Sequence, residues 1–563
     1  MKVKKRLLAA VMGGIMSLNI LGINTTVNAA QVYPEGFIED TEEDETEFYD
    51  KDVYIPTTSV PSKVDLSTSP CFPPIGNQKS LGSCVAFATT YYQYSYEVNK
   101  LNNVTSTSDR VIYSPKWIYN LANNGKNLGM SAIDAYSTLE CLGALNNSDF
   151  TYTGNSNDYT EWPAGLDDKK IEALQTRVSD TMVYELPLDC KINNVDDKNL
   201  NIVKQLLNKG KVLTVSTENR WNSINQNGEC IAFRCYSGGG HMLTIVGYDD
   251  NISYDVNGNG KIESYEKGAF KVANSYGTSF NAYGINSNTG YFWVMYDALN
   301  TKSANTLSTW ESQYSNLDMY RVPAFRGSKT GMCRFYYIDV EHKKPNFIGK
   351  LTVDTCDRET LDIKINRRTT DLWSNYNATN VCPYETGYNM PALSYKGSIY
   401  FDYDNFASPI SKYCDGFSWQ ACISEAAKND KFSFGILDNL GRTVKANKTM
   451  TADNTTFYGY QTISLTKGDV NYDGKITELD LDLLINYCLD ALTLSNLQQY
   501  IGDFNNNNVV EIGDVSCMSQ YLRNSPSSLK KIEDFTKAYY SNNIDSFLQT
   551  YDMNISKINN WEE

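Results

Sequence analysis

Two twelve-residue stretches, 469–480 and 503–514, repeat one plan 34 residues apart. The first reads Asp-Val-Asn-Tyr-Asp-Gly-Lys-Ile-Thr-Glu-Leu-Asp, so oxygen-bearing side chains fall at positions 1, 3, 5 and 12 and glycine at 6. A hard cation needs such a dense oxygen shell, and Gly474 permits the sharp turn. Asp469, Asn471, Asp473 and Asp480, with the Lys475 carbonyl, are the expected ligands of one calcium ion. Asp503, Asn505, Asn507 and Asp514, with the Val509 carbonyl, are those of a second. Asn508 takes the glycine position, which asparagine tolerates in the left-handed conformation. An amphipathic helix is expected after each loop, with Tyr487 and Tyr521 in register. The repeat confines residues 467–524 to a small helical unit built round two cations.

A third stretch, 255–266, has the same spacing: Asp255, Asn257, Asn259 and Glu266, with Gly260 at position 6 and the Lys261 carbonyl at 7. It lies between two strand-like runs, so a hairpin tip without flanking helices is expected, holding a further calcium ion.

The 563 residues admit about two to four domains. Residues 2–6 are basic, an apolar run follows to about Leu21, and small residues end at Ala29-Ala30. That is the layout of a secretory signal peptide over residues 1–30, shorter in its apolar part than the ~20 residues of a membrane span. A secreted, extracellular protein without a membrane span is expected. The net charge of −16 argues against a nucleic-acid partner. Ten Asp and Glu face one Lys over residues 35–52, so residues 31–60 read as an acidic propeptide or linker. Thirteen cysteines make a sparse and odd set. Cys230 and Cys235, or Cys414 and Cys422, are near enough in sequence to pair, and nothing in the sequence decides it.

Residues 61–302 read as a mixed helix and strand domain. Helices are expected from Ser83, at 115–122 and from Ser131; strands at 212–216, 241–248, 270–273 and 291–295. Residues 305–465 show alternating runs rich in Thr, Asn and Tyr, the profile of a β-sandwich-like accessory domain. Residues 525–563 form a polar tail with some helical pattern.

Only two histidines exist, His241 and His342, so nucleophile–histidine chemistry has few ways to be built. Cys84 follows the small residues Gly82-Ser83 and opens a helix. The positive end of a helix dipole favours a thiolate there. Gln78, six residues earlier, could donate from its side-chain amide to a developing oxyanion. His241 follows three glycines and enters the apolar run Met-Leu-Thr-Ile-Val. Asn274 ends another strand, where its carbonyl could orient the imidazole. His342, among Glu and Lys, reads as a solvated surface residue.

The order Gln…Cys…His…Asn, the six-residue gap, the Gly-His strand and the Asn274-Ser-Tyr-Gly segment resemble the papain family of cysteine peptidases over roughly residues 64–298. That resemblance implies an α+β papain-like fold with a helical half and a β-barrel-like half. It implies Cys84 as nucleophile, His241 as general base and acid, Asn274 as orienter and Gln78 as oxyanion donor. Leu81 stands where the family often has a bridging cysteine, Val85 replaces an aromatic and Tyr276 replaces a tryptophan. Asn127-Leu-Gly-Met-Ser131 aligns loosely with the family's groove-lining segment, and the long helical propeptide is missing. The two loop–helix repeats resemble a type I dockerin. That implies a cohesin partner on a scaffoldin, met near Glu478-Leu479 and Ile512-Gly513. The joint expectation is a secreted cysteine endopeptidase tethered in a cellulosome-type complex. A degenerate, carbohydrate-binding relative and a papain-fold acyltransferase are the competing readings.

Overall fold

The computed structural model describes residues 36–38, 59–299 apart from 124–125, 157, 162–164 and 188–191, and 332–523 apart from 356–361, 369–394, 403–416, 425–430, 452–456 and 464, with scattered residues of 530–550. The expected signal peptide, most of the acidic segment and most of the tail lie outside them. Among the described residues no helix is long and apolar enough to cross a membrane.

The catalytic unit begins with β1 (Lys63–Asp65) and then the long helix α1, residues 84–101. This helix runs in three stretches, Cys84–Ala86, a π-wound Phe87–Tyr94, and Ser95–Leu101. Helix α2 (Pro115–Ala122) starts where Ser114 Oγ accepts from Trp117 N and proline takes the first turn. Helix α3 (Ala132–Leu142) is capped by Ser131 and ends at Gly143, whose φ of 63° only glycine adopts freely. Then come α4 (Asp167–Ala173), β2 (Thr176–Pro187), α5 (Lys198–Asn208), β3 (Leu213–Gln226) and β4 (Glu229–Ser253). β5 (Lys267–Ala273), a small ribbon of β6 (Phe280–Ala282) and β7 (Ile285–Ser287), and β8 (Tyr291–Met295) follow.

One sheet of seven strands joins β2, β9, β3, β4, β5 and β8 in that order, with β1 on β4. Its member β9 (Met332–His342) runs antiparallel to β2 over its length and touches β3 at Thr214 and Val215. Here the structure departs from the sequence reading. The alternating run at 335–340 was expected in the accessory unit, yet it completes the catalytic sheet. Phe335 and Ile338 are fully buried there. Alternation announces a strand but not its partner.

Beyond it two antiparallel sheets follow. One orders β12 (Tyr395–Asp402), β10 (Phe347–Thr355), β14 (Lys431–Asp438) and β15 (Thr443–Thr451). The other orders β11 (Asp362–Arg368), β13 (Phe417–Ser424) and β16 (Phe457–Ile463). The C-terminal unit has three helices, α6 (Glu478–Cys488), α7 (Asn496–Gly502) and α8 (Ile512–Tyr521). Phe535 of the tail is buried in its core with Leu481, Leu484 and Met518, and Lys531 pairs with Asp482.

The catalytic and β units share a dry seam. Leu174 packs with Ile348, Tyr400 and Leu437. Lys170 Nζ donates to Ser398 O at 2.9 Å. Arg177 and Asp402, each 3% exposed, form an ion pair between β2 and β12. Removing one member of a buried pair strands the other. Asp402→Ala should therefore destabilise the chain by about 3–5 kcal/mol, and Arg177→Met with Asp402→Leu should recover most of it. Calorimetric unfolding of the full chain checks both.

Candidate active site

Cys84 is the first residue of α1 and is fully buried. Its turn is held by Asn127: Gly82 N donates to Asn127 Oδ1 at 2.7 Å, and Asn127 Nδ2 donates to Ser80 O at 3.1 Å. Ser83 Oγ lies 2.7 Å from Tyr152 Oη, which also donates to Gln78 O at 2.7 Å. Gln78 is buried beside it, with Nε2 on Leu81 O at 2.9 Å and Oε1 accepting from Ser275 Oγ. Gln78 N donates to Ser275 O at 2.7 Å. The Gln78 loop and the Asn274 segment are thus stitched together although nearly two hundred residues apart.

His241 sits in β4 opposite Thr217 of β3, 2% exposed. Its Nε2 lies 2.9 Å from Asn274 Oδ1. That oxygen also accepts from Ser275 N, and Asn274 O accepts from Tyr92 Oη at 2.7 Å. The ring of Tyr276 lies 5.0 Å from the imidazole at 31°, so it covers the histidine as a larger aromatic would. His241 Nδ1 is buried and has no protein partner. Met242, the next residue, is buried in one cluster with Cys84. Cys84, His241, Asn274 and Gln78 therefore converge. His342 bonds Asn102 and Thr176 on the surface, away from the site.

Three residues unremarked in the sequence complete the site. Residues 36–38 cross its mouth. Gly36 N and Phe37 N both donate to Gly240 O, at 3.2 and 3.1 Å. Met130 N donates to Gly36 O at 3.0 Å, and Ile38 N to Met130 O at 3.1 Å. Gly36 passes so close to the nucleophile turn that a Cβ on it would stand 1.9 Å from Gly82 O. Only glycine fits. Phe37 packs half-buried on the apolar core beside Met130. The Asn127–Ser131 segment thus forms a groove wall with chain lying in it. No local pattern marks Gly36: its acidic surroundings read as disorder.

Burial opposes the protonation expected of the cysteine. Burial pushes the Cys84 thiol up to about 12, against the pull of backbone groups of Met242, Gly36 and Val85. Burial likewise lowers His241 to about 4, against its hydrogen bond to Asn274. Burial thus favours the neutral thiol and the neutral imidazole, against the pull of the helix terminus towards the thiolate.

The three twelve-residue loops share one hydrogen-bond grid. In the first, Gly474 N donates to Asp469 Oδ2, Asn471 N to Asp480 Oδ1 and Thr477 N to Asp480 Oδ2. In the second, Asn508 N donates to Asp503 Oδ2, Asn505 N to Asp514 Oδ1 and Glu511 N to Asp514 Oδ2. In the 255–266 loop, Gly260 N donates to Asp255 Oδ2, Asn257 N to Glu266 Oε1 and Glu263 N to Glu266 Oε2. The first loop also leaves Asp469 Oδ1 buried without a protein partner. Burial and then the nearby Asp480 and Asp473 carboxylates push Asp469 up to about 6. An oxygen set of this kind fits calcium. Among the described residues no three His, Cys, Asp or Glu side chains could hold a metal alone, so amides and carbonyls are needed too.

Fold and sequence together define a cysteine-type peptidase. Residues 60–307 match the model of the papain family cysteine proteases, and residues 461–500 match that of the type I dockerin domain. The catalytic unit belongs to the papain family, and a type I dockerin follows it. Type I dockerins bind calcium and take cohesins as partners. The dockerin match spans the first loop and stops before the second. No curated protein matches the chain in sequence. Among solved structures, xylellain, a cysteine protease from Xylella fastidiosa, is 18% identical, over 56% of this chain and 99% of its own, with a TM-score of 0.35. Procathepsin B S9 from Trypanosoma congolense is 14% identical, over 55% and 84%, with a TM-score of 0.32. Bromelain from Ananas comosus, complexed with the inhibitor E64, is 14% identical over 50% and 100%, with a TM-score of 0.28.

In the covered chain, alkylation of Cys84 by iodoacetamide should be slow at pH 7 and still rising at pH 10, because the thiol ionises only towards pH 12. A plateau by pH 8, followed by mass spectrometry of the Cys84 peptide, would contradict this protonation state.

Proposed function

We propose that the chain is a secreted cysteine endopeptidase that hydrolyses peptide bonds through Cys84, His241, Asn274 and Gln78 and is made in a latent form. The observation that carries this reading is the packing of Cys84 at the start of α1 in one buried cluster with Met242 of β4, next to His241, which lies 2.9 Å from Asn274. When residues 36–38 leave the groove, water and substrate reach the pair. Both desolvation costs then fall, the thiol becoming more acidic and the imidazole more basic, and the proton passes from sulfur to His241. The thiolate attacks the peptide carbonyl, and the oxyanion is met by the Cys84 N–H and the Gln78 amide. His241 returns its proton to the leaving amine as the C–N bond breaks. Water then attacks the thioester, giving its proton to His241 and freeing the carboxylic acid and the thiol.

Residues 31–60 act in this reading as a short acidic propeptide, with Gly36–Ile38 as the part that blocks the groove. Gly36→Val cannot pass Gly82 and should raise Cys84 labelling by an epoxide probe at pH 7 roughly tenfold or more. Casein hydrolysis should rise with it and vanish in Gly36→Val combined with Cys84→Ala. Equal labelling of wild type and Gly36→Val would reject the latency. Absence of labelling in both would reject the peptidase assignment of Cys84.

The dockerin tethers the enzyme to a cohesin of a scaffoldin, placing it outside the cell in a cellulosome-type complex. Calcium-dependent capture of the full chain by a panel of cohesins tests this, and failure against the whole panel would reject it. Three calcium ions are bound, two in the dockerin and one at 255–266, where the cation stiffens the hairpin that joins the His241 strand to the Asn274 strand. The matching hydrogen-bond grid supports the third. Asp255→Ala with Glu266→Ala should lower the bound calcium by one ion and lower the melting temperature in calcium. An unchanged stoichiometry would remove that site.

A further inference from the structure

The two dockerin repeats are alike in sequence but differ in what their loops touch. At position 4 the first loop has Tyr472 and the second has Asn506. Asn506 is exposed. Tyr472 Oη instead donates to Asp438 Oδ2 at 3.2 Å and lies 3.1 Å from Ser495 Oγ. Asp438 ends β14 where the turn into β15 begins, outside the dockerin.

That turn, residues 438–442, is shaped as a socket. Asp438 is fully buried, and its Oδ1 accepts from Leu440 N and Arg442 N, both at 2.9 Å. Asn439 Oδ1 accepts from Asn496 N at 2.9 Å, the first helical amide of α7, so the β unit supplies a cap for a dockerin helix. Arg442 Nη2 donates to Thr493 O at 2.7 Å, and its Nη1 to Gln498 Oε1. Gln498 in turn reaches back to the first loop, donating from Nε2 to Val470 O at 2.9 Å. Beneath these bonds Leu497 and Ile501 are buried in an apolar cluster that also holds Phe434 and Ile436 of β14. Such an apolar contact gives adhesion; the hydrogen bonds fix the angle.

Tyr472 stands between two expected ligands, Asn471 and Asp473, with φ at 64°. Its position is therefore dictated by the loop's own closure. The loop carries the carboxylates of Asp469, Asp473 and Asp480 on one hydrogen-bonded turn, and their like charges repel unless a cation is present. We propose that the 438–442 turn is a calcium-gated socket for the dockerin. Cation loading of the first loop, and not of the second, seats Tyr472 on Asp438 and locks the dockerin's orientation relative to the peptidase. This rests on the calcium reading of the dockerin loops.

The test is backbone hydrogen exchange of the full chain in calcium and in chelator. Amides of 438–442 and the amide of Asn496 should exchange roughly tenfold faster after chelation. Asp503→Ala, which disables the second loop, should leave their calcium protection intact, whereas Asp469→Ala should abolish it. Tyr472→Phe should raise exchange at 438–442 in calcium while the calcium affinity of the first loop stays within about twofold. Calcium bound by calorimetry with exchange at 438–442 indifferent to calcium and to Tyr472→Phe would overturn the socket alone. No calcium bound at all would overturn the loop reading and the gating together.

Discussion

Strand β4 is the constraint on which the rest of the molecule hangs. It pairs with β3 along most of its 25 residues, with β5 from Thr244 to Ser253, with β1 at its far end, and in parallel with β8 at Ile231 and Ala232. Register in such a sheet is set on both sides at once, since a one-residue slip would turn every buried side chain outward. His241 is placed by that register. The same strand packs Met242 into the cluster of Cys84 and offers the Gly240 carbonyl to residues 36–38. The helix start at Cys84, the His241–Asn274 pair and the segment 36–38 are thus tied to three consecutive residues of one strand.

The state of the cysteine follows from a contest of magnitudes. A helix N-terminus favours a nearby anion by about 0.3–1 kcal/mol, reaching about 2 in sheltered geometries. Raising a thiol from 9.0 to about 12 amounts to about 4 kcal/mol against the thiolate. Burial therefore wins while the groove is filled. The terminus and the surrounding backbone groups then decide the outcome once water enters. Residues 36–38 do not set that charge alone: the Gly36 backbone favours the thiolate, and the burial that opposes it comes from the core around Cys84.

This explains what could be read beforehand and what could not. The chemistry of Cys84, His241, Asn274 and Gln78 leaves marks in the adjoining residues: small residues before the thiol, glycines before the histidine, a strand end before the asparagine. The calcium loops are likewise local, twelve residues with fixed spacing. Gly36 carries no such mark, because its contacts are backbone bonds to Met130 and Gly240, far along the chain. Nor does β9: Phe335-Tyr-Tyr-Ile alternates like the strands that follow it, and only pairing with β2 assigns it to the catalytic sheet. The burial that opposes a thiolate at Cys84 is hidden for a related reason, since a helix start is visible in sequence and the chain that buries it is not.

The seams on either side of the β unit differ in kind, and the difference bears on what each can do. At the peptidase side, Arg177 and Asp402 are both almost wholly withdrawn from water, and Asp402 lies opposite Ile348, which packs with Leu174 and Tyr400. Replacing either member alone would leave the other charged and buried, so the pair fixes the geometry of that seam. At the dockerin side, Arg442 is only half-buried and bonds a carbonyl and an amide. Breaking neutral-acceptor bonds near water costs far less, because water replaces them. The two seams thus differ in their polar contacts and share an apolar base: Leu174 with Ile348 at the one, Leu497 and Ile501 with Phe434 and Ile436 at the other.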